Sequence, residues 1–285
     1  MTMRRLIISL LAVGISVSGM AQGRVVKDEV KSRILNHDVK VKVYVPDGYD
    51  AKNHYPVVYM LHGLSDSEDS WTSKGQMDRV ADLLINSGEA AKMVVVMPCA
   101  GGPDVHNIQN GYFNVKDWPY EDFFFDELMP LMESKYNCGG TKGQRAIMGL
   151  SMGGGGSVVY CQRHPDMFSS CYAMSPWLDN KQSEVLGDSV PGSKLVLTDL
   201  SVREHSALDF LENADESTLD KLRTVKWFVD CGDDDFLIML SLNFYVKMFA
   251  KEIKMELRVR DGIHNWEYWH TALYKALPFA SRNFY

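Results

Sequence analysis

Ser151 stands in Gly149-Leu150-Ser151-Met152-Gly153, a Gly-x-Ser-x-Gly pattern. Such a serine becomes a nucleophile when a sharp strand-to-helix turn lifts its hydroxyl above a sheet and a base takes its proton. The turn crowds the residues two before and two after the serine, and glycine has no side chain to clash there. The context fits: the apolar run Ala146-Ile147-Met148 precedes the motif, and a helix-like segment ending near His164-Pro165 follows it. Gly153 to Gly156 are four consecutive glycines, and each costs a helix about 1 kcal/mol relative to alanine. Something other than helix stability must favour them. A phosphate loop is excluded, because Gly155 stands where its lysine would have to be.

A base and an acid should follow the nucleophile in the chain, the acid first. Of the later histidines, His164 lies at the end of the elbow's own helix and His205 in a loop-rich stretch. His264 sits just past the strand-like run Met255 to Val259, in Asp261-Gly262-Ile263-His264, at the carboxyl end of a sheet where such sites form. It is the candidate base. His270 falls in a helically spaced segment and reads better as a packing or surface residue. The candidate acids follow the run Val225 to Val229, in Asp230-Cys231-Gly232-Asp233-Asp234-Asp235. Four carboxylates this close repel if all are ionised, so a special arrangement is implied. A calcium loop is the rival reading, but the oxygen ligands lack its alternate spacing. Spacing alone does not choose between Asp233 and Asp235.

An ester carbonyl attacked by Ser151 needs two amides for its oxyanion. One belongs to Met152, directly after the nucleophile. The other should come from the loop after an early central strand, Leu61-His62-Gly63-Leu64, with Leu64 as the candidate donor. His62 precedes the nucleophile, and the chain order makes it structural.

These loops need a scaffold, and strand-like runs alternate with helix-like ones along the chain. Pro56 to Leu61 and Met93 to Met97 are continuous apolar runs, the pattern of central parallel strands covered on both faces. Arg145 to Met148 and Val225 to Val229 look similar. Val39 to Val45 alternates like a half-buried strand, and Met255 to Val259 like one nearer an edge. Helical spacing appears at Val80, Leu83 and Leu84, and again at Phe124, Leu128, Leu131 and Met132. The expected fold is α/β, a mostly parallel sheet with helices on both faces, in one domain. An excursion from Trp177 to Thr224 breaks the rhythm. It contains a helical piece near Ser206 to Asn213 and a core-strand-like run at Leu195 to Leu197, and reads equally as the wall of a substrate cleft or as surface elaboration.

The 285 residues carry 30 basic and 37 acidic side chains, a formal charge of −7, with no basic cluster. That disfavours nucleic acid as a partner. Arg4 and Arg5 precede the apolar run Leu6 to Val17, and Gly19-Met20-Ala21 offers small residues to a signal peptidase. The expectation is a cleaved signal peptide over 1–21, a catalytic domain over 22–285, and a periplasmic or extracellular enzyme with no stable membrane insertion. The apolar run falls short of the roughly 20 residues that span a bilayer. The five cysteines lack a Cys-x-x-Cys pair and read as buried free thiols.

The motifs together give the chain a resemblance to the esterase D-like branch of the α/β-hydrolases. That branch holds S-formylglutathione hydrolases, mycolyltransferases, and the feruloyl and acetylxylan esterases of carbohydrate esterase family one. The resemblance covers about Val26 to Tyr285. It rests on Leu61-His62-Gly63 with Trp71 downstream, Leu128-Met129-Pro130 before Tyr136, the serine motif extended to Gly154, Cys231-Gly232-Asp233-Asp234-Asp235, and His264 with Trp266 and Trp269. In that branch the acid is the last aspartate of Cys-Gly-x-x-Asp, which here implies Asp235. Within it the chain is most similar to bacterial feruloyl and related short-chain esterases, and the leader disfavours the cytosolic glutathione thioester enzymes. The implied fold is the α/β-hydrolase fold. The implied activity is ester hydrolysis by Ser151, His264 and Asp235 without metal or organic cofactor. The substrate is a small ester or an acylated plant polysaccharide bearing feruloyl or acetyl groups, with Trp71, Trp266 and Trp269 as candidate substrate contacts. A general short-chain esterase, an acyltransferase and a peptidase share the same triad.

Overall fold

The computed structural model describes residues 21–101, 110–180 and 194–285. The expected signal peptide lies outside them except for Ala21. Eight strands form one sheet: β1 (Arg24–Ser32), β2 (His37–Val45), β3 (Val57–Leu61), β4 (Val94–Pro98), β5 (Arg145–Leu150), β6 (Ser170–Met174), β7 (Lys226–Gly232) and β8 (Met255–Arg260). Their order is β1-β2-β4-β3-β5-β6-β7-β8. β2 runs antiparallel to both β1 and β4, and every other pairing is parallel.

The continuous apolar runs are explained by cover on both faces. In β3, Val57, Tyr59 and Leu61 point into one core, and Val58 and Met60 into the other. Against the first pack the helical segment from Tyr120 to Tyr136, α5 (Met152–Arg163), α7 (Ala207–Asn213) and α9 (Ile238–Ala250). Against the second pack α2 (Met77–Asn86) and α10 (Trp266–Arg282). The described chain also holds α1 (Ser70–Ser73), α6 (Lys194–Glu204) and α8 (Glu216–Leu222), a 3-10 turn (Lys142–Gln144) and a two-stranded ribbon pairing Asn114–Val115 with Trp118–Pro119. β8 is an edge strand as its alternation predicts, with no residue fully buried.

Two readings of periodicity need correction. Leu195 to Leu197 is not a core strand, since it lies in the first turn and a half of α6. Three adjacent apolar residues do not distinguish a covered strand from a helix, and Leu197 is in fact 48% exposed. Between Tyr120 and Tyr136 the chain runs as α3 (Tyr120–Phe123), a π-helical turn (Phe124–Leu128) and α4 (Met129–Tyr136). Phe124, Leu128 and Met132 are buried as expected, but Leu131 is exposed. The extra residue of the π turn rotates the following turn away from the simple 3.6-residue register.

Candidate active site

Ser151 joins β5 to α5 with φ 53° and ψ −118°, a conformation that costs a non-glycine residue energy and persists only when its surroundings hold it. Here the Ser151 amide donates to the Met174 carbonyl at 2.9 Å, and the Ser151 carbonyl accepts from the Gly155 and Trp177 amides, each at 3.0 Å. The crowding expected on either side is present. A Cβ on Gly149 would lie 2.3 Å from the Gly153 carbonyl oxygen, and one on Gly153 would lie 2.4 Å from that of Leu61. The glycine run beyond the motif has the same cause. A Cβ on Gly155 would stand 2.1 Å from the Trp177 carbonyl oxygen, so α5 starts against backbone that leaves no space for a side chain.

His264 and Asp235 reach Ser151 because β7 and β8 are parallel neighbours whose final residues, Gly232 and Arg260, are in register. The two following turns touch: a Cβ on Gly232 would meet the Gly262 carbonyl oxygen at 2.1 Å. His264 Nδ1 lies 2.8 Å from Asp235 Oδ2 and 3.0 Å from Oδ1, while Nε2 lies 2.9 Å from Ser151 Oγ. One tautomer satisfies both sides, with Nδ1–H donating to the carboxylate and Nε2 accepting from the hydroxyl. Burial pushes the Asp235 carboxyl up. Hydrogen bonds from His264, the Leu237 amide and Ser175 outweigh it and hold the group below the usual carboxylate range.

Asp233 and Asp230 have other partners. Asp233 is exposed, and its Oδ1 accepts from the Asp234 and Gly262 amides, each at 3.1 Å, bracing the acid loop against the histidine loop. Asp230, fully buried, accepts from the Tyr172 and Tyr268 hydroxyls at 2.6 Å and pairs with Arg258. The repulsion expected of four close carboxylates is thus relieved by sending Asp230, Asp233 and Asp235 to separate donors and leaving Asp234 exposed to solvent. No group of three or more His, Cys, Asp or Glu side chains is arranged to hold a metal among the described residues.

Met152 is the first residue of α5, so its amide has no intrahelical acceptor. The Leu64 amide meets no acceptor among the described residues. Its loop passes close to the nucleophile, since a Cβ on the neighbouring Gly63 would lie 3.6 Å from the Ser151 Cβ. His62 locks this loop. Its Nδ1 donates to the Gly63 carbonyl at 2.8 Å, and Nε2 accepts from the Ala100 amide at 2.9 Å. Burial pushes its pKa down, which keeps the imidazole neutral and able to accept. The Tyr112 hydroxyl donates to the His62 carbonyl at 2.8 Å and closes the lock.

The three tryptophans form a chain of edge-to-face contacts ending on the imidazole. Ring centroids are 5.3 Å apart for Trp71 and Trp266, 5.5 Å for Trp266 and Trp269, and 4.9 Å for Trp269 and His264. Trp71 is 0% exposed and Trp269 5%, so neither offers a face to a substrate; Trp266 is half-buried. They back the histidine from inside. Trp269 Nε1 donates to Ser175 Oγ at 3.1 Å, which ties this packing to the acid's own partner. Neither Ser175 nor Phe236 belongs to a motif that would have pointed to it.

A family model described as "Putative esterase" matches residues 32–280. The chain belongs to this esterase family. Among solved structures, a ferulic acid esterase is similar with 43% identity and a TM-score of 0.87, covering 93% of this chain and 99% of that one. A fluorophosphonate-binding serine hydrolase of Staphylococcus aureus is 20% identical with a TM-score of 0.73, over 91% of this chain and 99% of its own; at that identity the likeness is one of fold. Among curated relatives, a protein named endo-1,4-beta-xylanase/feruloyl esterase from Xylanibacter ruminicola is 33% identical over 131 residues. The match spans 44% of this chain and 18% of that relative's length. Family and neighbours together make this chain a carboxylic ester hydrolase of the α/β-hydrolase fold.

Proposed function

We propose that the protein releases feruloyl or acetyl groups from plant polysaccharide outside the cytoplasm, with Ser151, His264 and Asp235 as its catalytic residues. The observation that carries the chemistry is the unbroken relay from Asp235 through His264 to Ser151 Oγ, with contacts of 2.8 and 2.9 Å, at a strained elbow. The similar ferulic acid esterase supports the acyl group. The leader-like sequence before residue 22 supports export.

His264 takes the Ser151 proton as the hydroxyl oxygen attacks the ester carbonyl. The Met152 and Leu64 amides receive the oxyanion, and His264 then protonates the departing alcohol. Asp235 stays ionised throughout, holding the tautomer and stabilising the imidazolium. Water repeats the sequence on the acyl enzyme and frees the acid. The two backbone donors need no reorganisation at the moment of reaction, and losing one such donor costs about 10²–10³ in turnover.

The substrate test compares specificity constants for methyl ferulate, acetylated xylan and short p-nitrophenyl esters. Activity on the first or second is expected to match or exceed that on the third. Activity confined to the p-nitrophenyl esters contradicts the cell-wall substrate and leaves a short-chain esterase.

A further inference from the structure

Phe236 is 75% exposed, yet its ring centroid lies 4.4 Å from that of His264 with the planes at 47°. The local backbone holds it outward. Asp235 on one side is buried and bound to His264; Leu237 on the other is buried and donates its amide to Asp235 Oδ1 at 2.8 Å. The Ile238 amide returns to the Asp235 carbonyl at 2.9 Å, closing a turn that buries Leu237 and leaves Phe236 facing solvent. The imidazole is therefore in contact with a buried indole, Trp269, and an exposed phenyl, Phe236. Ile263, the residue before His264, is also 52% exposed.

The chemistry decides which half of the ester meets this ring. The alcohol oxygen takes its proton from His264 Nε2, so whatever that oxygen carries must pass beside the imidazole. The acyl carbonyl sits instead at Ser151, facing the Met152 and Leu64 amides. We propose that Phe236 determines specificity for the alcohol half of the ester, as an aromatic platform for the apolar C–H face of the sugar ring that bears the ester oxygen. This deepens the polysaccharide-esterase reading and rests on it. Aromatic rings favour such packing because they offer a large rigid surface with little entropy to lose.

The test measures kcat/KM for wild type, Phe236→Ala and Phe236→Tyr on a feruloylated arabino-oligosaccharide and on methyl ferulate, which share the acyl group and differ in the alcohol. The acetylated xylo-oligosaccharide and ethyl acetate form the parallel pair. For Phe236→Ala the sugar-to-methyl or sugar-to-ethyl ratio is expected to fall about five- to tenfold, the range that aromatic contacts supply. Phe236→Tyr should restore it. An unchanged ratio, or an equal loss on both members of a pair, overturns the proposal while the esterase reading stands. Wild type that hydrolyses neither sugar ester sinks the polysaccharide reading and this inference with it.

Discussion

Asp233 and Asp235 are two residues apart and differ in every respect that matters to the chemistry. Asp235 is buried and faces His264; Asp233 is exposed and accepts two backbone amides. Asp235→Asn keeps the shape but presents a donor to Nδ1, favouring the wrong tautomer, and turnover should fall about 10⁴-fold. Asp233→Asn retains an acceptor oxygen for Gly262, and turnover should stay within about threefold, since a loop hydrogen bond is worth only about 1 kcal/mol. Steady-state kinetics of the two variants check this, and the reverse ranking would move the acid to Asp233. Ser151 and His264 were readable as candidates from a motif and a chain-order rule, whereas Asp235 was singled out from Asp233 only by the family resemblance. Ser175 and Phe236 were not readable. What each one meets lies far off in the chain, Trp269 94 residues from Ser175 and His264 beside Phe236, and a single sequence carries no sign of those contacts.

At the scale of elements, the glycine run at the start of α5 has a measurable cost of substitution. Gly155→Ala would drive a methyl group into the Trp177 carbonyl, 2.1 Å away, where only backbone movement can make room. We expect it to lose about 3 kcal/mol and to lower Tm by on the order of 10 °C. Gly140→Ala, with φ +79° and open space around it, should lose about 1 kcal/mol from left-handed backbone strain alone. Thermal melts of the pair test the ranking; equal losses would remove steric exclusion as the reason for the glycines. The parallel strands were readable because two-sided burial selects continuous apolar runs. β6, Ser170–Met174, escaped because Ser, Cys and Ala lack the β-branched signature, although all five of its residues are buried. β1 escaped because, on the sheet's outer edge, it is largely polar and only half-buried.

Over the whole molecule, the five cysteines are buried and unpaired, and the fold stands on its two hydrophobic cores. Burial pushes the Cys99 thiol up to about 11 and those of Cys138 and Cys231 to about 12. Burial likewise pushes Cys161 well up. Thiols held this way resist oxidation even in an oxidising compartment, since the thiolate is the reactive form. A disulfide-exchange thiol reagent at pH 8 should titrate none within minutes in the native protein and five in denaturant without reductant; fewer than five would reveal a disulfide. No helix among the described residues is long and apolar enough to cross a membrane. The proposed mechanism turns on the covalent role of one hydroxyl. The most direct measurement is p-nitrophenyl ester hydrolysis by Ser151→Ala, alongside its circular dichroism and Tm. Turnover should fall by about 10⁶ with the fold intact, and near wild-type hydrolysis by a folded Ser151→Ala protein would contradict the assignment of the nucleophile.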